Sequence, residues 1–208
     1  FAERIIAHHE RVFLLPMEME NEVGAMIEPT AVAVHSNRRG GVGKGTKLVI
    51  IGGGPIGLLH AQVARAYGAS PLVISEPIAE RRALAQKMDF GLICNPQEEE
   101  LVSFVRKNMG MPDVVFDIVG NEKTLADSTE MLRPDGLLVL VALPHGEKLG
   151  IPYRNVFQKE LRVVGTRTYF LQDFPEAISL LHGQQIQVKP LLGKILPLER
   201  FGEGVVLL

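Results

Sequence analysis

The 208-residue sequence has a single cysteine, Cys94, and no tryptophan. One cysteine cannot close an internal disulfide, and a four-cysteine zinc lobe is excluded, so a reducing, cytoplasmic setting is the simpler expectation. Every long apolar run is broken by charge or glycine before it reaches spanning length, so no membrane segment is expected. An excess of charge is also missing: 22 Lys and Arg stand against 24 Asp and Glu, for a net charge of −2. That balance argues against broad capture of nucleic acid, which needs clustered basic residues, and leaves a small molecule as the expected partner. The chain opens on Phe1 rather than Met, and no basic stretch leads into an apolar run, so nothing reads as a signal peptide. With residues 201–208 ending in an apolar run, the chain reads as an excised piece.

What the sequence does contain is an alternation of short β-type runs with longer helical patterns, the mark of βαβ units and a parallel sheet. Strands are expected at residues 47–51, 72–75, 92–94, 114–119, 137–142 and 161–165. Helices are expected at 56–67, 78–88, 98–108, 122–132 and 175–183. Most of the strands are continuous apolar runs, as strands covered by helices on both faces must be. Residues 19–36 carry apolar side chains at roughly helical spacing, interrupted by Pro29, and lead into the polar, glycine-rich stretch 37–45. A helix and then a loop are expected there. Residues 1–16 mix β-type apolar residues with His8 and His9, whose side chains would face opposite sides of a strand and make a poor ligand pair.

The chemistry concentrates at residues 47–57, Lys-Leu-Val-Ile-Ile-Gly-Gly-Gly-Pro-Ile-Gly, where a GxGxxG lies between a strand and a helix. Gly52 allows the tight turn, Gly54 lets the backbone approach a pyrophosphate, and Gly57 permits close helix-to-strand packing. The helix start at Pro55 and Ile56 adds free N–H groups and partial positive charge. The fold class expected is therefore α/β, a doubly wound, parallel, six-stranded Rossmann sheet. Glu76 ends the second strand, 19 residues after Gly57, where an acid hydrogen-bonds the adenosine ribose and repels a 2′-phosphate. NAD is thus expected over NADP. Arg81 is assigned to flank adenine, although Arg81 and Arg82 also leave a phosphate-accepting alternative open. Val119, Gly120, Val141, Ala142 and Leu143, at the carboxyl ends of the fourth and fifth strands, are candidates for the wall against the nicotinamide, with plain core packing as the other reading. His35, His60, His145 and His182 are scattered and read as surface or hydrogen-bonded side chains, and Cys94 as a core thiol.

The run 27–35, Ile-Glu-Pro-Thr-Ala-Val-Ala-Val-His, the polar loop ending at Gly45 and the glycine motif together resemble the zinc-dependent medium-chain dehydrogenases, on the sorbitol and threonine dehydrogenase branch. Asp117-Ile-Val-Gly120 and the stretches 136–143 and 164–167 carry further likeness. The resemblance implies that the cofactor domain is inserted in a GroES-like catalytic domain, which donates the zinc ligands from upstream. Residues 1–18 would then be the tail of that domain, 19–190 the NAD-binding domain with its leading helix, and 191–208 the start of the return. Glu28 is placed near the zinc by the same likeness, as a ligand or through its water, with a helix-surface carboxylate as the alternative; Arg167 is placed near the cofactor or substrate side of the cleft. The implied activity is hydride transfer between NAD and a secondary alcohol of polyol, sugar-acid or threonine type, with zinc polarising the alcohol. Homodimers or homotetramers paired through the sheet edge at 161–165 are also implied. Other readings are a zinc-free NADPH quinone reductase, an S-adenosylmethionine methyltransferase and a non-enzymatic nucleotide-binding module. Glu76 and Glu28 weigh against the first, and the tight glycine spacing weighs against the second.

Overall fold

In the computed structural model, which describes residues 2–144 and 148–206, six strands form one sheet. They are β1 (Leu48–Ile51), β2 (Leu72–Ser75), β3 (Leu92–Cys94), β4 (Val114–Asp117), β5 (Leu137–Leu140) and β6 (Arg162–Gly165). All pairings are parallel, in the order β3-β2-β1-β4-β5-β6. This is the doubly wound order expected from the sequence, with the direction of winding reversing between β1 and β4. Successive side chains leave a strand by opposite faces. Leu48 and Ile50 accordingly join Phe116 and Val139 in one core, while Val49 and Ile51 join Val115 and Leu138 in another. Because both faces are covered, β1 and β4 are buried throughout, and the apolar runs continue without alternation.

The first face is covered by α3 (Pro55–Ala66) and α4 (Ala79–Lys87), through Leu58, Ala61 and Ala85. The second is covered by α5 (Leu101–Met109) and α6 (Glu122–Met131), through Val102, Val105, Leu125 and Met131. A third core joins α2 (Ile27–Arg39) and α8 (Asp173–His182) to the back of α3, where Ala31, Ala33 and Ala177 let the helices approach around Val34, Leu59, Val63 and Leu181. Short helices α1 (Asn21–Ala25), α7 (Tyr153–Gln158) and α9 (Phe201–Val206) complete the described set. Just beyond α7, Lys159 points its ammonium at the open end of α6 and donates to the carbonyls of Thr129, Glu130 and Leu132 at 2.9, 2.6 and 3.0 Å. A cation there meets the negative end of the helix dipole and orphan carbonyls.

Several local expectations need correction. The leading helix does not end at Ser36. It runs to Arg39, since Ser36 and Asn37 are buried against neighbouring elements, and the Asn37 amide donates to Ala33 O at 2.9 Å and His60 O at 3.2 Å. Pro29 does not interrupt α2, because it falls in the first turn, where no partner is lost by the missing N–H. Residues 8 and 9 are not in a strand. A 3-10 turn at His9–Arg11, capped by His8, stacks the two imidazoles at 4.7 Å instead of setting them on opposite sides. The expected strands at 114–119 and 137–142 stop at Asp117 and Leu140, freeing the residues beyond to form loops. The helix expected at 98–108 starts at Leu101, behind Glu100, whose carboxylate accepts the N–H groups of Val102 and Ser103 at 3.0 and 2.7 Å. His145 lies outside the described residues. No helix among the described residues is long and apolar enough to cross a membrane.

Candidate functional site

The turn after β1 is shaped by what its glycines exclude. Gly52 sits at φ +108, in the left-handed region that favours glycine. A Cβ on Gly57 would stand 1.8 Å from the Gly52 carbonyl oxygen, so the loop and the first turn of α3 are in backbone contact. Gly54 precedes Pro55 at the head of α3, and no side chain caps that end, leaving first-turn N–H groups for a ligand. Ile56 is partly exposed beside them.

Glu76, just past β2, turns toward this loop rather than toward solvent. It is only 1% exposed, and its carboxylate accepts the N–H of Gly53 at 2.8 Å and that of Ile78 at 2.9 Å. Gly53 was not singled out by the GxGxxG pattern, which leaves that position free. Its own Cβ would come within 2.9 Å of the Glu76 Cβ, so a side chain there would displace the acid. Arg81 is half-exposed, with its guanidinium 3.9 Å from the Glu76 carboxylate and beside Gly54. Arg82 instead donates to the Glu76 carbonyl oxygen at 3.1 Å, which directs it to the backbone.

The far wall is assembled by Asp117, the second residue that pattern reading passed over as a site residue. This buried carboxylate accepts the N–H groups of Val119 and Gly120 at 3.0 and 2.9 Å and the Thr124 hydroxyl at 2.8 Å. The turn places Val119 Cγ2 3.3 Å from where a Gly52 Cβ would be, bringing the fourth-strand loop onto the glycine loop. Gly120 has φ +71, and a Cβ on it would come within 2.9 Å of the Ala142 Cβ. Val141 and Ala142 both donate their N–H groups to Asp117 O, at 3.0 and 3.3 Å, while Leu143 is 92% exposed at the rim. Gly52, Gly54, Pro55, Ile56, Gly57, Glu76, Arg81, Val119, Gly120, Val141, Ala142 and Leu143 thus line one continuous edge, at the carboxyl ends of the strands.

Arg167 and Glu28 come from elements other than those of that cluster. Arg167 is exposed just beyond β6, and Glu28 is exposed in the first turn of α2; neither side chain makes a hydrogen bond or ion pair among the described residues. Two buried titratable side chains, His60 and Cys94, are not activated for catalysis. Burial lowers the His60 pKa to about 4, and its Nδ1–H is already given to Ile56 O at 2.7 Å. Burial and the nearby Glu99 and Glu100 push the Cys94 thiol up to about 11, far from an activated thiolate. A cavity of about 570 Å³ lies between Met19, Val23, Leu181 and Ile186, and none of the residues of the glycine edge lines it. The glycine edge is an open shelf of backbone groups, suited to an extended ligand.

A family model described as zinc-binding dehydrogenase matches residues 55–183. The chain is 37% identical over 192 residues to the 2-dehydro-3-deoxy-L-galactonate 5-dehydrogenase of Pseudoalteromonas atlantica, covering 91% of this chain and 55% of that protein. It is 33% identical over 192 residues to the sorbitol dehydrogenase of Homo sapiens, covering 90% and 53%. The crystal structure of a zinc-binding dehydrogenase from Sinorhizobium meliloti bound to NADP superposes with a TM-score of 0.77 at 30% identity, covering 84% of this chain and 52% of that one. The chain spans about half the length of the curated relatives it matches.

Proposed function

The chain belongs to the zinc-binding dehydrogenase family, and on that premise we propose that it is the cofactor-binding part of a dehydrogenase that transfers hydride between NAD(H) and a secondary alcohol of polyol or sugar-acid type. The observation that carries this reading is the backbone cradle. Gly57 packs on the Gly52 carbonyl, and the uncapped start of α3 opens beside it, which fits a pyrophosphate approached by N–H groups. NAD would lie with its adenosine ribose by Glu76 and Arg81, its pyrophosphate on residues 52–57, and its nicotinamide against Val119, Gly120 and residues 141–143. NAD is preferred over NADP because a carboxylate at Glu76 opposes a 2′-phosphate. The relative solved with NADP makes that preference the point to test.

The described residues contain no group of three His, Cys, Asp or Glu side chains placed for a metal. They do not by themselves make a zinc centre. We assign the zinc ligands to the part of the relatives' length that this chain does not span, with Glu28 nearby, and Arg167 to the cofactor or substrate side of the cleft. By the same reading, residues 1–18 and 191–208 join a GroES-like catalytic domain, and 19–190 form the NAD-binding unit. Zinc in such a protein would supply Lewis acidity toward the alcohol oxygen. The groups of this chain do something else: they bind the dinucleotide, orient it and fix the nicotinamide against small side chains. The open edge of β6, where Val163 is partly exposed, would pair two copies into a homodimer or homotetramer. The single unpaired Cys94 fits a reducing cytoplasmic compartment.

The test is calorimetric titration of the purified chain with NAD, NADP and S-adenosylmethionine. NAD is expected to bind most tightly. Tight NADP binding with none for NAD would overturn the cofactor assignment, and binding of S-adenosylmethionine alone would overturn the reaction class.

A further inference from the structure

Residues 166–172 connect β6 to α8 at the carboxyl edge of the sheet. Thr166 opens the loop with its N–H on Leu140 O at 2.9 Å and its hydroxyl 3.0 Å from that of Ser36 on α2. Two residues on, Thr168 is held at φ +55. A β-branched residue adopts this left-handed conformation only where its surroundings impose it, and such strain gathers at functional sites.

The far end of the loop is held by Asp173, which is 0% exposed at the start of α8. Its Oδ2 accepts the Phe170 N–H at 2.7 Å and the Nδ1–H of His35 at 3.1 Å, and its Oδ1 accepts from Arg38. The His35 ring also meets the Phe170 ring edge-on at 4.8 Å. Arg38 reaches on to Glu176, which accepts the Tyr67 hydroxyl as well. A buried carboxylate is tolerated only when its oxygens are paired, and this one draws its donors from α2 and from the loop itself. The cluster therefore ties the strained loop to the helix packed behind the sheet. Between the two fixed points, Thr166 and Phe170, Arg167 projects exposed and unpaired.

A doubly wound sheet seats one mononucleotide on each half, outside the carboxyl ends of the strands. Glu76 marks the adenosine half, so the loop after β6 belongs to the other. We propose that Asp173, held by His35 and Arg38, is a positioning residue for the nicotinamide half of the site: it clamps the strained loop and so presents the Arg167 guanidinium beside the bound nicotinamide riboside. This rests on the NAD(H) reading above.

The test titrates the chain with NADH and with ADP-ribose, which lacks the nicotinamide, and follows amide hydrogen exchange at Phe170. Asp173→Asn and His35→Phe are expected to weaken NADH about tenfold while leaving ADP-ribose within about twofold, as loss of one charge-assisted positioning contact would. Exchange at Phe170 should quicken by at least about tenfold in both variants, because its N–H loses its anchor or the support of that anchor. His35→Gln, which keeps an N–H donor, should restore wild-type behaviour. Arg167→Ala should reproduce the NADH loss without faster exchange. Equal losses for both ligands, or faster exchange with unchanged NADH affinity, would reduce the cluster to a merely structural one and overturn the proposal. Should Asp173→Asn not fold, His35→Phe and Arg167→Ala decide by the same criteria. A wild-type chain that binds neither ligand would sink the NAD(H) reading and the clamp with it, whereas one that binds both while every variant behaves as wild type would sink the clamp alone.

Discussion

Replacing Glu76 separates two roles that one carboxylate performs. It is almost wholly buried and receives two backbone N–H groups, from Gly53 and Ile78 at 2.8 and 2.9 Å. Each bond to an ionised acceptor contributes about 1.5–3 kcal/mol, and deleting the acceptor strands two donors in a poorly solvated place. Solvent entering the gap offsets part of the loss, so Glu76→Ala should destabilise the chain by about 3 kcal/mol. At roughly 2–4 °C per kcal/mol for a chain of this size, Tm should fall by about 10 °C. The half-exposed Arg81 at 3.9 Å adds little to this sum, since a loose ion pair at the surface is worth under about 1 kcal/mol. NAD affinity should drop about tenfold or more, through the lost ribose contact and a slackened glycine loop, while NADP, freed from repulsion, should lose less. Glu76→Gln keeps one carbonyl oxygen for one of the two amides but removes the charge. Its Tm should fall by about half as much, yet the NAD preference should narrow as far as in the alanine variant. Differential scanning fluorimetry and calorimetric titration with both dinucleotides read these quantities directly. An alanine variant with unchanged Tm and unchanged NAD affinity would refute the reasoning at its root. A glutamine variant that keeps full discrimination would refute the charge argument while leaving the latch intact.

Gly57→Ala should abolish measurable NAD binding, because the new Cβ falls 1.8 Å from the Gly52 oxygen and forces loop and helix apart; affinity within about threefold of wild type would show that the packing can yield. Lys159→Met should cost about 1–2 kcal/mol in urea unfolding by uncovering the three carbonyls at the end of α6, and an unchanged midpoint would mean that water replaces the ammonium without loss. His60 carries a pH dependence of definite sign. Its pKa is lowered by burial from 6.5 to about 4, so the unfolded chain binds the extra proton first, and stability falls as pH drops from about 6.5 toward 4. The full effect is about 3 kcal/mol, and His60→Gln should therefore unfold less steeply than wild type between pH 7 and 4.5; parallel profiles would show that His60 does not titrate with unfolding.

The sheet could be read from the sequence because its strands are buried on both sides, which turns each into an unbroken apolar run such as Leu48-Val-Ile-Ile51. The overshoot at Val119 and Ala142 has a physical origin. Residues there are still apolar, yet Asp117 collects their N–H groups and turns the chain out of the ladder. Helix α7 was missed because its six residues show no apolar period, and its stacked Tyr153 and Phe157 lie 78% and 70% exposed. The N-terminal stretch looked β-like for its Ile5, Ile6 and Leu14, but these side chains have no strand partner among the described residues and stand in solvent.

Within the site, glycines were easier to read than their partners. Gly52 and Gly57 answer local steric demands, which a fixed spacing records. Gly53 answers a demand set by Glu76, 23 residues away, and no local spacing records that. A signal was nonetheless present. Glu76 directly follows a buried strand and Asp117 closes one, and burying a carboxyl group is costly unless hydrogen-bond donors surround it. The donors within reach are the N–H groups of the loops at the strand ends, so each acid implies a loop wrapped around a carboxylate. Glu76 fulfils this with Gly53 and Ile78 on the half of the sheet that holds β2, and Asp117 with Val119, Gly120 and Thr124 on the half that holds β4. The two halves of the sheet thus use the same device, a desolvated acid organising backbone amides. Its cost in burial is what ties the loop conformations to the fold and not to the ligand alone.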